Sequence, residues 1–249
     1  MFKYIYFSNM AKAMKYRNLT IIGTSHIARQ SVEEVRKAVE EGKPDIVCLE
    51  LDQRRLAALS QKRKGISLGD IRHVGFAGWL LSLIGGYVEK RLGESVGILP
   101  GAEMMAALDM AKQHRLRVYL IDQDIMITLK RFSKAFSLRE KFRLLGDLVI
   151  GLFFRKRELK KLGLKKLDLT KVPDKKVIKR MIKEVKCRYP NLYRVLVEER
   201  NVVMAKNLSF VIKMHPESGI LAVLGAGHEE ELLTLIKKYN KIIKLKNTA

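Results

Sequence analysis

Residues 19–51 read LTIIGTSHIARQSVEEVRKAVEEGKPDIVCLEL, and this stretch decides the class of fold. It opens and closes with short apolar runs, as buried strands do. Between them, apolar residues recur at helical spacing, Ser31 and Glu34 have the spacing of a helix-capping box, and Gly42 marks the helix end. A strand, a helix and a strand in so short a stretch predict a βαβ unit with parallel strands and a right-handed crossover.

The rest of the chain continues this α/β pattern as a single domain over 18–249. We predict a central, mostly parallel sheet flanked by helices, with a large basic helical insertion at about 125–213, before the last core strand. Residues 1–17 are basic and are predicted to be an extension, partly disordered or read from an upstream start, with Met10 and Met14 as alternative starts. The predicted strands lie at 19–23, 45–49, 117–121 and 220–224, with an edge strand at 241–246, and the predicted helices at about 31–41, 53–93, 100–114 and 229–239.

The formal net charge of +23 is concentrated in the middle of the chain. Residues 130–188 carry 21 Lys and Arg against six Asp and Glu, and so contribute +15. A basic surface of this kind attracts phosphate on an anionic membrane, a nucleic acid or a nucleotide, although it also occurs as a plain solvated surface. The sequence has no RNP, helix-turn-helix or zinc-finger pattern, so nucleic-acid binding rests on charge alone and is not expected.

Membrane-spanning and secreted proteins are not indicated. No run reaches the roughly 18–20 apolar residues of a membrane span: the stretch at 75–88 is broken by glycines, and the one at 144–154 is short and contains Asp147. No secretory signal pattern is present. Cys48 and Cys187 are far apart in the sequence, which fits a reducing compartment better than a disulfide framework. We therefore expect a cytoplasmic protein that is peripheral to a membrane at most.

Polar side chains follow each predicted core strand. His26 follows the first strand, Glu50 the second, Asp122 the third and His228 the last. Because ligands of open α/β sheets bind outside the carboxyl ends of the strands, we expect these side chains to converge on one site. Each residue taken alone is more often a helix cap, but together they supply the groups that bind metals or transfer protons.

Small and polar residues accompany both histidines. Gly225 and Gly227 allow the backbone to turn sharply and to approach a ligand closely, and the helix N-termini that follow suit an anionic oxygen. We predict that these glycines bind substrate together with Thr24, Ser25 and Arg131.

A second group of candidates lies in the helical sequence Glu-Glu-Arg-Asn at 198–201. Arg200 and Asn201 either belong to a solvated face or point into the cleft, where a guanidinium and an amide would stabilise developing negative charge. The sequence alone leaves both interpretations open.

The sequence resembles the TraB/PrgY (pheromone-shutdown) family, which is related to the GumN and Tiki proteins. The resemblance covers about 18–235 and is carried by IIGTSHIARQSVEEV, KPDIVCLELDQRRLAAL, PGAEMMAAL, VYLIDQDIMITLKRF, EERNVVMAKNL and AVLGAGHEEELL. It includes two G-x-x-H motifs, Gly23–His26 and Gly225–His228, and the glutamate of ELD, Glu50. The chain departs from the Asp-Arg-Asp that is common in the family, having Asp122–Asp124 as Asp-Gln-Asp. Many relatives continue into a membrane-spanning region, which is not expected here.

The resemblance implies a fold similar to the erythromycin-esterase and ChaN group. Tiki members are regarded as metal-dependent proteases, and erythromycin esterases activate water with a histidine and a glutamate. Our first hypothesis is therefore a hydrolase of a peptide or a small ester or amide, with water activated at a divalent metal, Mn, Co or Zn. The expected metal ligands are His26, His228, Glu50, Glu103 and Asp122, and the expected catalytic residues are Glu50, His26, His228, Arg200 and Asn201.

The second hypothesis is a protein that binds and sequesters a peptide or an anionic ligand without chemistry. Its basic helical region would then dock on an anionic membrane surface or an acidic partner. The sequence identifies neither the substrate nor the metal, and it leaves a homo-oligomer open.

Overall fold

The computed structural model describes residues 13–24, 29–61, 68–96, 101–144, 146–147 and 175–246. The strands are β1 (Met14–Tyr16), β2 (Leu19–Thr24), β3 (Ile46–Leu49), β4 (Arg117–Leu120) and β5 (Ile220–Gly225). The helices are α1 (Arg29–Gly42), α2 (Gln53–Gln61), α3 (Ile71–Val96), α4 (Ala102–Gln113), α5 (Ile125–Ala135), α6 (Lys175–Arg188), α7 (Pro190–Tyr193), α8 (Glu199–Met214) and α9 (Glu229–Lys246). A 3-10 turn at Leu68–Asp70 precedes α3, and a π-helical segment, Arg194–Glu198, joins α7 to α8.

The strands form one sheet in the order β1-β2-β5-β3-β4. β1 is antiparallel to β2, and the other strands are parallel to one another. β5 comes last in the chain but lies in the centre of the sheet, where Ala222 is opposite both Ile21 and Cys48. This arrangement confirms the predicted α/β class and places the carboxyl ends of β2, β5, β3 and β4 along one edge.

Helices cover both faces of the sheet. On one face, α8 and α9 contribute Met204, Leu208 and Ile236 to a core in which all three are fully buried. On the other face, α1 and α4 contribute Val35 and Ala107, which are equally buried. Parallel strands that are covered on both faces need apolar side chains on both, which explains the continuous apolar runs read from the sequence.

The helix that follows β2 begins earlier than the capping-box pattern predicts. α1 starts at Arg29, so Ser31 is buried inside its first turn and the prediction of Ser31 as the N-cap is wrong. Gln30 donates a side-chain hydrogen bond to Glu34 at 2.5 Å. Serine and glutamate three residues apart therefore lie within the helix, where the same spacing brings side chains onto one face.

Both ends of the described chain also differ from prediction. Residues 14–16, which the sequence pattern placed in a basic extension, form β1, whereas residues 1–12 lie outside the described residues. The predicted edge strand at 241–246 is wrong, because α9 continues to Lys246. Apolar residues three and four apart carry the helical pattern of α9 into this segment, and the short alternation within it is too local to decide against a helix.

The predicted helical insertion divides into two parts. α5 packs on α3 around a small core that contains Phe132, Phe136 and Val195, and this part lies beside the sheet. α8 instead packs directly on the sheet and belongs to the main fold. Residues 148–174 of the predicted insertion lie outside the described residues. Among the helices of the described ranges, none has the length and apolarity to cross a bilayer.

Candidate functional site

Glu50 follows β3 directly and lies at the carboxyl edge of the sheet. Its backbone N–H still continues the sheet, donating to the Val223 carbonyl at 3.1 Å. Its side chain is 2% exposed, with Oε2 accepting a hydrogen bond from the Gly225 N–H at 2.6 Å. Oε1 accepts a hydrogen bond from Arg200. A carboxylate this deeply buried needs such donors, and they also fix its orientation.

Arg200 joins Glu50 to the second buried carboxylate, Asp122. The Asp122 side chain is 1% exposed, and it accepts hydrogen bonds from Arg200 Nε at 3.0 Å and from Arg200 Nη2 at 2.7 Å. The remaining Arg200 contact is from Nη1 to the Leu196 carbonyl at 3.1 Å. Leu196 lies in the π-helical segment, and π-turns of this kind are frequent at functional sites.

Two arginines balance the two carboxylates. Arg55, in α2, donates to Asp122 Oδ2 at 2.9 Å, so Asp122 is held by two guanidinium groups. Burial acts to lower the pKa of Arg200, but the charges of Glu50 and Asp122 and their hydrogen bonds outweigh it and raise the pKa above its usual range. Arg200 is therefore always charged, and its hydrogen bonds hold both carboxylates in place.

His228, in the turn between β5 and α9, is oriented by Asn201. The ring Nδ1 lies 2.6 Å from Asn201 Oδ1, and the Asn201 Nδ2 donates to Glu231 Oε2 at 3.1 Å. Tyr193 also donates to Glu231, at 3.3 Å. Because the Asn201 amide nitrogen is used on Glu231, its oxygen faces the ring, and the network assigns a proton to Nδ1. We call Asn201 of α8, Glu231 of α9 and Tyr193 of α7 the relay.

The other ring nitrogen of His228 points toward Glu50. Nε2 lies 3.4 Å from Glu50 Oε1, and the His228 side chain is 11% exposed. A histidine with Nδ1–H fixed by a carbonyl oxygen presents Nε2 for a proton or a metal. The structure thus brings together His228, Glu50, Arg200, Asn201 and Asp122, five of the residues singled out in the sequence.

Residues of the first G-x-x-H motif and its flank are only partly described. Thr24 is buried and donates to the Leu224 carbonyl at 3.1 Å, so its hydroxyl joins β2 to β5. Any side chain on Gly23 would collide with the carboxylate of Glu229, which explains the glycine. Ser25 and His26 lie outside the described residues.

The remaining predicted residues that the structure describes are Glu103 and Arg131. Glu103 is buried in the first turn of α4, the helix that packs against α1 and β3. Arg131 pairs through Nη2 with Glu199 at 2.8 Å on the exposed surface, and the hydrogen bond from Arg131 holds the pKa of Glu199 below its usual range. Within the described ranges, no group of three or more His, Cys, Asp and Glu side chains is arranged to hold a metal ion.

A cavity of about 480 Å³ opens beside the turn between β5 and α9, which carries His228. Gly225 is buried, whereas Gly227 lines this cavity together with Tyr193 and Glu231 of the relay. Its opposite wall is α6, which contributes Ile182 and three lysines at helical spacing, Lys179, Lys183 and Lys186. Lys179 pairs with Glu230 at 2.9 Å, and Lys186 pairs with Glu198 at 2.7 Å. Lys183 forms no ion pair with a residue that the structure describes.

Sequence reasoning missed Arg55 and Glu231. Arg55 lies in the first turn of α2, five residues after Glu50, and Glu231 lies three residues after His228 at the start of α9. Both are charged residues in the first turn of a helix that follows a core strand, and neither was given a role from the sequence. Their short sequence distance from Glu50 and His228 is the signal that could have indicated them.

Fold and site together define a class: a three-layer α/β protein in which histidine, carboxylate and guanidinium groups meet at the carboxyl edge of a mostly parallel sheet. The sequence profile of the TraB/PrgY/gumN family matches residues 10–240, and the chain belongs to this family.

Relatives of the chain come from archaea and animals. An uncharacterized protein of Methanocaldococcus jannaschii is 34% identical over 223 residues, which make up 89% of this chain and 54% of that protein. TraB domain-containing proteins of Bos taurus and Homo sapiens are 30% and 28% identical over 196 residues, 74% of this chain and 50% of each relative. The chain thus spans about half the length of the curated relatives it matches.

Proposed function

We propose that the chain is a hydrolase of peptide bonds or of small esters or amides, with His228 and Glu50 at its reacting centre. The observation that carries the proposal is the 3.4 Å approach of His228 Nε2 to Glu50 Oε1, while each side chain is held from behind. Two polar atoms fixed at this distance can bind the same water molecule or the same cation.

A divalent metal fits part of the predicted ligand set. Asn201 orients His228 in the way that hydrogen-bonded carbonyl oxygens orient metal-binding histidines, and Glu50 Oε1 lies beside its Nε2. His26 is the third ligand we propose. We leave Asp122 out, because its oxygens already accept three guanidinium hydrogen bonds. Bound there, a divalent ion would supply a Lewis acid and a water that is nucleophilic at neutral pH.

The protein's own residues have separate roles in this proposal. Arg200 and the Gly225 N–H hold the Glu50 carboxylate in its orientation, and Asn201 holds the His228 ring. Arg200 and Asn201 are therefore positioning residues, since their polar atoms are used within the protein. In a metal-free site, His228 Nε2 would take the proton of the attacking water and return it to the leaving group.

We place the substrate in the cavity beside Gly227. Ile182 and Tyr193, which line this cavity, would contact an apolar part of the substrate. The ammonium group of Lys183, which has no ion-pair partner among the described residues, suits an acidic group on the substrate.

The test combines elemental analysis with a turnover screen. Wild type, Glu50→Gln and His228→Ala would be screened on a peptide and ester library before and after reconstitution with Mn, Co or Zn. We expect wild-type turnover to fall at least about a hundredfold in Glu50→Gln with ligand affinity retained. His228→Ala should also lose any bound metal. The absence of wild-type turnover under every condition would overturn the proposal.

One observation favours the non-catalytic alternative. Glu50 and Asp122 are balanced by Arg55 and Arg200, so the cluster is electrically complete without a metal or a substrate. A protein that only binds a peptide or an anionic ligand would use such a cluster to shape its cleft. Its ligand affinity would respond to Lys183→Glu, but Glu50→Gln would have no turnover to remove.

A further inference from the structure

The outer face of α3 is apolar and exposed over about three turns. Phe76, Leu80, Leu83, Ile84 and Tyr87 are 64, 39, 43, 37 and 60% exposed. Their spacing places them within an arc of about 100° on the helix. No charged residue interrupts this set, which we call the α3 stripe. Single exposed apolar side chains are ordinary, but a contiguous set of this size marks an interaction surface.

The stripe is held outward by the way α3 packs. Gly78 is buried against the Leu129 carbonyl of α5, where any side chain would collide, and Leu81 packs on the small core around Phe132. Gly78 lies on the side of α3 opposite to the stripe, and Leu81 lies between the two faces. Since one face of α3 is fixed against α5, the stripe has no way to turn into the protein.

Basic side chains lie on the elements that pack next to α3. α5 exposes Ile127 together with Lys130 and Lys134, and these two lysines form no ion pair with a described residue. The helical residues 138–144 expose two more large apolar side chains, Leu138 at 69% and Phe142 at 71%. Between and beside them lie three exposed basic residues, Arg139, Lys141 and Arg143.

We propose that the α3 stripe and residues 138–144 dock on the surface of an anionic lipid bilayer. Apolar side chains flanked by lysine and arginine are the pattern of a segment that lies in the membrane interface, with the apolar groups among the acyl chains and the cations at the headgroups. Aromatic Phe76 and Tyr87 at the two ends of the stripe suit the headgroup level. The interaction is independent of the chemistry at His228.

Charge favours a lipid surface over a second copy of the chain. A symmetric dimer through the stripe would bring together two copies of a chain with a net charge of +23. Anionic headgroups instead attract the exposed Arg139, Lys141 and Arg143. A nucleic acid would use the cations but would leave the aliphatic side chains without a partner.

The test is co-sedimentation of the full chain with vesicles. One set would contain phosphatidylcholine alone and the other equal parts of phosphatidylcholine and phosphatidylglycerol, each at low and high salt. We expect binding to the anionic vesicles, weakened by salt. The variant Leu80→Ser/Leu83→Ser/Ile84→Ser should reduce the affinity at least about tenfold, because it removes the inserted apolar groups. Arg139→Glu/Lys141→Glu should weaken binding only to the anionic vesicles.

The matched control is Phe210→Ser/Met214→Ser. These α8 side chains are 60% and 56% exposed, as apolar as the stripe but outside it, and their replacement should leave vesicle binding unchanged. Circular dichroism would verify that each variant is folded. Failure of the wild type to sediment with anionic vesicles, or equal losses in control and stripe variants, would overturn the proposal. So would a wild-type dimer that the stripe variant converts to a monomer without vesicle binding in either.

Discussion

A single arginine keeps two buried carboxylates stable in this protein. Replacing Arg200 by Met should lower the free energy of unfolding by about 3–5 kcal/mol, because it leaves Glu50 and Asp122 with less than their full set of partners. Arg131→Met is the matched control: it breaks an arginine–glutamate pair with Glu199 on the exposed surface and should cost less than about 1 kcal/mol. Urea unfolding of both variants measures the difference. Similar losses in the two would show that the Glu50–Asp122 cluster is solvated.

The tautomer of His228 can be tested with a single substitution. The wild-type ring should carry its proton on Nδ1, since Asn201 Oδ1 accepts from it. Asn201→Leu removes that acceptor at similar volume, and the ring should then shift toward a mixture of tautomers or rotate away from Glu50. Ring ¹⁵N chemical shifts report this directly. In a catalytic site, kcat should fall about 10–100-fold with little change in KM. Unchanged ring shifts would argue against the relay.

At the scale of secondary structure, substitutions of the glycines of α3 distinguish the effect of side-chain packing from the effect of helix propensity. Gly78→Ala should be destabilising by about 1–3 kcal/mol, because its methyl group would collide with the Leu129 carbonyl and push α3 from α5. Gly85→Ala and Gly86→Ala place a methyl group where no heavy atom lies within 4 Å. They should be stabilising by up to about 1 kcal/mol through helix propensity. Thermal unfolding of the three variants orders them, and a stabilised Gly78→Ala would contradict the packing described above.

The junction between residues 138–144 and α7 depends on one carboxylate. Glu140 accepts hydrogen bonds from Ser137 N–H at 3.2 Å and from Asn191 N–H at 2.8 Å. Burial alone acts to raise the pKa of Glu140, but the hydrogen bonds from Asn191 and Ser137 outweigh it and hold the pKa below its usual range. With a lower pKa in the folded than in the unfolded state, the group stabilises the fold above the unfolded pKa of about 4.3. That stabilisation is lost as the pH falls through the folded pKa.

Glu140→Gln tests this junction. The variant should lose about 1–3 kcal/mol at neutral pH, since an amide nitrogen would face hydrogen-bond donors. The difference from the wild type should stay constant above about pH 5 and shrink in more acidic solution. Urea unfolding of both proteins over this range measures it. A difference that does not depend on pH would indicate a steric rather than an ionic cause.

At the scale of the whole molecule, the opening of the centre of the sheet can be measured through the reactivity of the Cys48 thiol. This thiol is fully buried in β3, and burial raises its pKa, whereas Cys187 is exposed. In the variant Cys187→Ser, Cys48 should react with a thiol reagent at least about a thousandfold more slowly than a free cysteine, because the sheet must open globally first. Addition of urea should speed the reaction with the slope of global unfolding. A rate that ignores urea would reveal local opening instead.

Most of the fold class followed from short-range pattern, but the order of the strands did not. Apolar runs that end in glycine, histidine or a carboxylate indicated parallel strands and the edge where the site would lie. The pattern gave no sign that Ile220–Gly225 inserts between β2 and β3, since strand neighbours depend on which helices can cover which face. Lys241–Lys246 was misread because two alternations fit a strand as well as the end of a long helix.

The sequence predicted which residues belong to the candidate site better than it predicted the hydrogen bonds between them. Glu50, Asp122 and His228 could be named because each follows a strand. Their hydrogen bonds depend on helices that are distant in sequence. Arg200 and Asn201 were predicted as catalytic residues that stabilise developing negative charge, and in the proposal they are positioning residues. Distances between side chains on α8 and β3 are set by packing, which no local pattern encodes.

The central place of β5 has a consequence for how the protein is made. Leu19 of β2 pairs with Ile220 of β5. β2 therefore leaves the ribosome about 200 residues before the strand that it pairs with in the centre of the sheet. At cellular rates of translation this interval is on the order of ten seconds or more. During this interval, β2 and β3 lack β5, the strand that lies between them. The apolar strands of the nascent chain are then exposed to chaperones and to other nascent chains. The sheet is therefore complete only after Ile220–Gly225 has left the ribosome, and a nascent chain that ends before residue 220 lacks its central strand.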